Sequence, residues 1–101
     1  MHAYAKGRRN EWKAKKYLEA RGYTCFRTAG SHSDWDIIAI KKGRLLMLVQ
    51  VKTNKKPPMA TPDQLDLIDG SWRVHIHLWK DYAKQPEIYD WRSGHAVDLL
   101  P

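Results

Sequence analysis

The 101-residue chain has one cysteine, Cys25, so no internal disulfide can staple it. The thiol sits in an apolar-aromatic run with Tyr23 and Phe26, which suits a small buried side chain better than a nucleophile. No stretch approaches the roughly 18 consecutive apolar residues that a membrane-spanning helix needs. The first ten residues are basic and polar and lack the apolar core of a signal peptide. The expectation is a cytoplasmic protein with no membrane partner. Acids are also scarce, with 11 Asp and Glu against 18 Lys and Arg. Repeats and low-complexity tracts are absent, and a chain of this length is expected to form a single domain over residues 1–101.

What is present is unevenly spread. Residues 1–56 carry 14 Lys and Arg against four acids, whereas residues 57–101 carry four against seven. The basic half is the natural contact surface for a polyanion, because each neutralised phosphate releases counterions. Five Trp and five Tyr supply core or interface material. Trp12 and Trp35, beside the candidate site described below, could stack on an opened base.

Good helix formers run from about Ala5 to Arg21, and Gly22 stands where a helix C-cap belongs. Residues 23–28 favour a strand and 29–33 a loop. Residues 35–40 and 45–53 are strands rich in Ile, Leu and Val, joined through Lys41-Lys42-Gly43-Arg44 as a hairpin. Two prolines make 55–60 a loop. Thr61, Pro62 and Gln64 form a capping-box pattern for a helix ending near Gly70. Residues 72–79 alternate Trp72, Val74, Ile76 and Leu78 against Arg73, His75, His77 and Trp79, the period of a strand with one apolar face and one mostly polar, exposed face. That apolar face and the aromatic C-terminal segment are the candidates for a subunit interface. Residues 87–91 and 96–100 suggest a last hairpin. The order α-β-β-β-α-β, then a hairpin, describes an α/β mixed sheet flanked by helices.

Chemistry collects at the central hairpin. Asp36 shares a strand face with Ile38 and Ile40, and Gln50 and Lys52 share one with Leu46 and Leu48. Folding about Lys42-Gly43 pairs residues whose numbers sum to about 85 or 86, which sets Asp36 against Val49 or Gln50. In the first helix Glu11 falls on the stripe of Ala14, Leu18 and Arg21. A carboxylate on a core-facing stripe is costly unless it is paired or binds a metal. A hard cation such as Mg2+ takes carboxylate, amide and main-chain carbonyl oxygens, here Asp36, Glu11, Gln50 and the carbonyl of Val51. Such a set with a nearby lysine suits phosphodiester hydrolysis. His75 and His77 share a strand face but have no third ligand in sight for a transition metal.

These residues resemble the PD-(D/E)xK nucleases, which place an Asp at the start of one hairpin strand and an acid-x-Lys on the next. Here Asp36 is followed by Gln50-Val51-Lys52. Within that superfamily the chain is similar to the small archaeal-type Holliday junction resolvases, including versions carried by viruses. Glu11, Arg27-Thr28-Ala29-Gly30-Ser31, Asp36 and Gln50-Val51-Lys52 occur in the family's order with similar gaps, and the likeness is good over residues 6–56.

The resemblance implies a restriction-endonuclease-like fold and a homodimer that cuts four-way DNA junctions in recombination and repair, in the host cytoplasm if viral. It implies Mg2+, with Mn2+ as a substitute, and no small-molecule cofactor. Glu11, Asp36, Gln50 and Val51 become the metal set, and Glu11, Asp36, Gln50, Lys52 and Ser31 the catalytic set. Lys6, Arg8, Arg9, Arg27, Ser31, Lys55 and Lys56 become DNA contacts. Two departures stand out, Trp35 in place of the proline before Asp36 and Gln50 in place of an acid. A different DNA nuclease of the superfamily, or a non-catalytic DNA-binding protein on the same fold, are the alternatives.

Overall fold

The computed structural model describes residues 3–28 and 35–98, without the side chains of residues 3–6. The element order is α1 (Ala3–Glu19), β1 (Thr24–Arg27), β2 (Ile37–Ile40), β3 (Met47–Thr53), α2 (Pro62–Asp66), β4 (Arg73–Trp79) and β5 (Glu87–Asp90). The mixed α/β architecture agrees with the sequence.

Helix α1 ends as its glycine dictates. Gly22 takes φ +90°, its N–H donates to Glu19 O, and the next N–H, of Tyr23, reaches back to Leu18 O. This is the glycine-capped Schellman closure, which satisfies carbonyls that the last turn would orphan. Helix α2 is shorter than its sequence pattern suggests. Its start carries the full capping box, with Gln64 N–H on Thr61 Oγ1 and Thr61 N–H on Gln64 Oε1. The last hairpin reduces to β5 and a single bridge between Tyr89 and Ala96, with residues 99–101 outside those described.

The strands form one sheet in the order β1-β2-β3-β4-β5, antiparallel except for the parallel β3–β4 pair, whose crossover carries α2. Gly43, at φ +81°, turns β2 into β3, and the pairs Ile37↔Val49 and Ile38↔Leu48 fix the register sum at 86. Alternation of side chains then separates two cores. Ala14 and Leu18 of α1 pack on Tyr23, Cys25, Ile37, Ala39, Met47, Val49 and Trp79. On the opposite face Val74, Ile76 and Trp91 pack with Trp35, Ala60, Ile68 and Tyr89. Each fully buried Leu or Ile stabilises by about 1.5–3 kcal/mol relative to exposure. Burial pushes the Cys25 thiol up to about 11, with Glu19 adding to the rise and Lys15 opposing it, which leaves it an inert core group.

Strand β4 corrects two expectations. His75 and His77 are buried, not exposed, because they sit on the face that α1 covers, with the ring of Tyr17 edge-on to His77 at 5.9 Å. Val74 and Ile76 are buried within the chain by the second core, and Leu78 is buried as well, so this face is not a free subunit interface. Trp35 is likewise engaged, its ring meeting Trp91 edge-on at 4.8 Å. Among the described residues, no helix is long and apolar enough to cross a membrane.

Candidate active site

The site forms where the start of β2 meets the end of β3 under the N-terminal half of α1. Asp36 sits in the bend before β2, its N–H donating to Val49 O and its carbonyl accepting from Thr28 N–H. The side chain turns onto β3, where Asp36 Oδ2 accepts from Val51 N–H at 2.7 Å. Residue 51 therefore anchors the aspartate through its main chain, whatever its side chain.

Helix α1 is pinned to the same strand end. Asn10, nearly fully buried, donates from Nδ2 to Thr53 Oγ1 at 2.7 Å. The adjacent Glu11 then lies near the Asp36 carboxyl, close enough to affect its ionisation. Its own Oε2 pairs with Arg27 Nη2 at 3.5 Å. Burial pushes Asp36 up to about 6, with the Val51 N–H and Lys52 opposing the rise and Glu11 adding to it. Two carboxyls close enough to influence each other, one of them reluctant to ionise, form a pair that gains from a cation.

Gln50 is buried, and its Oε1 has no hydrogen-bond partner among the described residues. Continuing the register by one step places it across from Asp36. An orphaned buried carbonyl oxygen is expensive, and a hard cation would satisfy it. Among the described residues, no three His, Cys, Asp or Glu gather into a metal site. The donors here are instead two carboxylates and an amide oxygen, together with any main-chain carbonyl. This set fits a hard cation and not a thiolate- or imidazole-seeking one.

Glu11, Asp36, the Val51 N–H and Lys52 are thus brought together, with Gln50 beside them. Arg27 is paired with Glu11, beside the candidate site. Arg8 and Arg9 are exposed on α1, and Lys55 is exposed beyond β3. Lys56 is exposed too, but its Nζ donates to Gly94 O and lies over the Tyr89 ring at 4.1 Å. Ser31 and the side chain of Lys6 lie outside the described residues.

Two positioning residues escape sequence reading. Thr28, whose Oγ1 donates to Trp35 O, ties together the two ends of the segment before Asp36. Asn10 is the other. Only adjacency to Arg27 and to Glu11 marks them.

A five-stranded mixed sheet with a carboxylate pair, an amide oxygen and a lysine at a hairpin end is the frame of the restriction-endonuclease-like nucleases. The chain matches the family described as archaeal Holliday junction resolvase (Hjc) over residues 2–65. It belongs to that family. Among solved structures it is similar to Hjc of Archaeoglobus fulgidus, described as a Holliday junction resolvase from an archaeal hyperthermophile. That likeness has 23% identity and a TM-score of 0.63, and covers 85% of this chain and 73% of that one. Comparison with curated proteins finds no match.

Proposed function

We propose that this nuclease is a structure-selective endonuclease that resolves four-way DNA junctions, acting as a single domain over residues 1–101. The observation that carries the reading is the half-buried Asp36, fixed by the Val51 N–H, near Glu11 and across from the orphaned Oε1 of Gln50. Glu11, Asp36, Gln50 and the carbonyl of Val51 would hold Mg2+, with Mn2+ as a substitute. When bound, the cation acidifies water and draws charge from the attacked phosphate.

The remaining roles fall to side chains. Lys52 orients the attacking water and stabilises charge on the phosphate oxygens as the scissile bond opens. Arg27, while paired to Glu11, keeps that carboxylate in place, and its half-exposed guanidinium can turn to a backbone phosphate. Ser31, Lys6, Arg8, Arg9, Lys55 and Lys56 contact the DNA backbone and read no bases.

Symmetric cutting of a two-fold junction calls for two sites, hence a homodimer. Support for one comes from the sheet face opposite α1. There the second core covers β4 but leaves Phe26 53% and Ile40 41% exposed, beside Ile38. An apolar sheet face of this kind gains from a second copy. The test is cleavage of a four-way junction, a duplex, a flap and a single strand with Mg2+ or Mn2+. Preferential junction cutting supports the reading, and equal cutting of duplex and junction removes it.

A further inference from the structure

A groove of about 580 Å³ runs between α1 and the β4–β5 connection, lined by Trp12, Lys13, Lys16, Arg21, Trp79 and Lys84. By the turn of the helix, Lys13 and Lys16 lie on the flank of α1 away from Glu11. No acidic side chain is among the described residues that line the groove, although Lys16 Nζ also lies 3.7 Å from Glu19 Oε1. Cations and rings interleave along it. Lys16 Nζ lies 4.6 Å from the centre of the Trp12 ring, Lys13 Nζ 5.7 Å from that of Trp79, and the Arg21 guanidinium 3.5 Å from that of Tyr17.

Two further features lie at or beside the groove. The Trp79 indole Nε1 is buried without a hydrogen-bond partner among the described residues, although Trp79 lines the groove. Tyr82, next in the chain to the lining residue Ala83, is fully exposed at φ +65°, a conformation that bulky residues avoid. The preceding residue, Asp81, is tied to Asn54, itself at φ +63°. Asn54 Oδ1 accepts from Asp81 N–H at 2.8 Å, and Asn54 Nδ2 donates to Asp81 Oδ2 at 3.0 Å.

We propose that this groove binds an unpaired DNA strand, its phosphates on Lys13, Lys16 and Lys84 and its bases stacked on Trp12 and Tyr82. A duplex hides its base faces within its own stack and offers nothing to exposed rings. An acidic peptide would satisfy the cations and leave the rings in water. Only an unpaired strand uses both features. The proposal goes beyond the cleavage reading and does not depend on it, since binding here needs no divalent metal.

The test is fluorescence anisotropy of labelled oligothymidylate and of a blunt duplex, in EDTA, with thermal melts to verify folding. Trp12→Ala weakens oligothymidylate binding about tenfold and changes duplex binding by less than about twofold, while Trp12→Phe retains affinity. Tyr82→Ala, which removes a fully exposed ring, weakens oligothymidylate severalfold without loss of stability. Wild-type oligothymidylate affinity in both alanine variants, equal loss of duplex binding in Trp12→Ala, or displacement of the strand by polyglutamate as readily as by unlabelled oligothymidylate overturns the proposal.

Discussion

Asp36 Oδ2 accepts a hydrogen bond from the main-chain N–H of Val51 at 2.7 Å, so the residue between Gln50 and Lys52 holds the aspartate by its backbone. The same bond opposes the rise that burial imposes on Asp36 and sets the carboxyl near Glu11 and Lys52. A charge held half-buried and beside another carboxyl gives a cation its foothold.

Ionising Asp36 therefore costs stability in the metal-free protein. Its folded value, about 6, lies above the ordinary 3.8, so its contribution is fully present below 3.8 and lost as pH rises through 6. Asp36→Asn keeps an acceptor for Val51 N–H and carries no charge. Without metal at pH 8 the variant should be more stable than wild type by on the order of 1–2 kcal/mol, after discounting for solvent screening. Urea melts at pH 8 and pH 4 check this, and the gain should vanish at the lower pH.

Gln50 would be the neutral member of the proposed metal set. Gln50→Glu should lower the Mg2+ concentration at half-maximal cleavage by about tenfold, because a carboxylate replaces an amide oxygen. Gln50→Ala should raise it. Metal titrations of cleavage rate check the order of the three proteins.

Lys52→Ala should slow single-turnover cleavage by about 10²–10³-fold, the scale of removing one group that stabilises developing charge. Junction affinity measured with Ca2+ in place of Mg2+ should stay near that of wild type. A comparable loss of affinity would move Lys52 from chemistry to binding.

The buried histidines set the acid limit. Burial lowers His75 to about 4 and His77 to about 3. Arg73 deepens the first shift and Asp90 opposes it, while His75 and Arg21 deepen the second. Stability from these groups is complete above 6.5 and is lost as pH falls through the folded values. Neither nitrogen of His77 has a partner among the described residues, so His77→Leu removes a group that must charge on unfolding and leaves no acceptor stranded. Melting between pH 4 and 7 should show a flatter acid limb for this variant.

The central hairpin was legible because its signals agree: two runs of Ile, Leu and Val, a Gly able to take φ +81°, and a register that follows from the turn. The capping box at Thr61 was equally plain. Strand β4 was legible as a strand but misleading in its faces. Alternation of His with Val and Ile reads as solvent on one side, yet β4 lies inside the sheet with α1 above the histidines. At the site, Asp36 and Lys52 follow from hairpin geometry. The Asn10–Thr53 bond spans 43 residues, and the Glu11–Arg27 pair joins a helix to a strand, so periodicity reveals neither.

The central claim is a cation-dependent cut made through Asp36. It is tested most directly by incubating wild type and Asp36→Asn with a four-way junction, a matched duplex and Mg2+, following cleavage and binding together. The account predicts junction-selective cutting by wild type that EDTA stops, and no cutting by Asp36→Asn despite near-normal junction binding. Undiminished cutting by Asp36→Asn would contradict it.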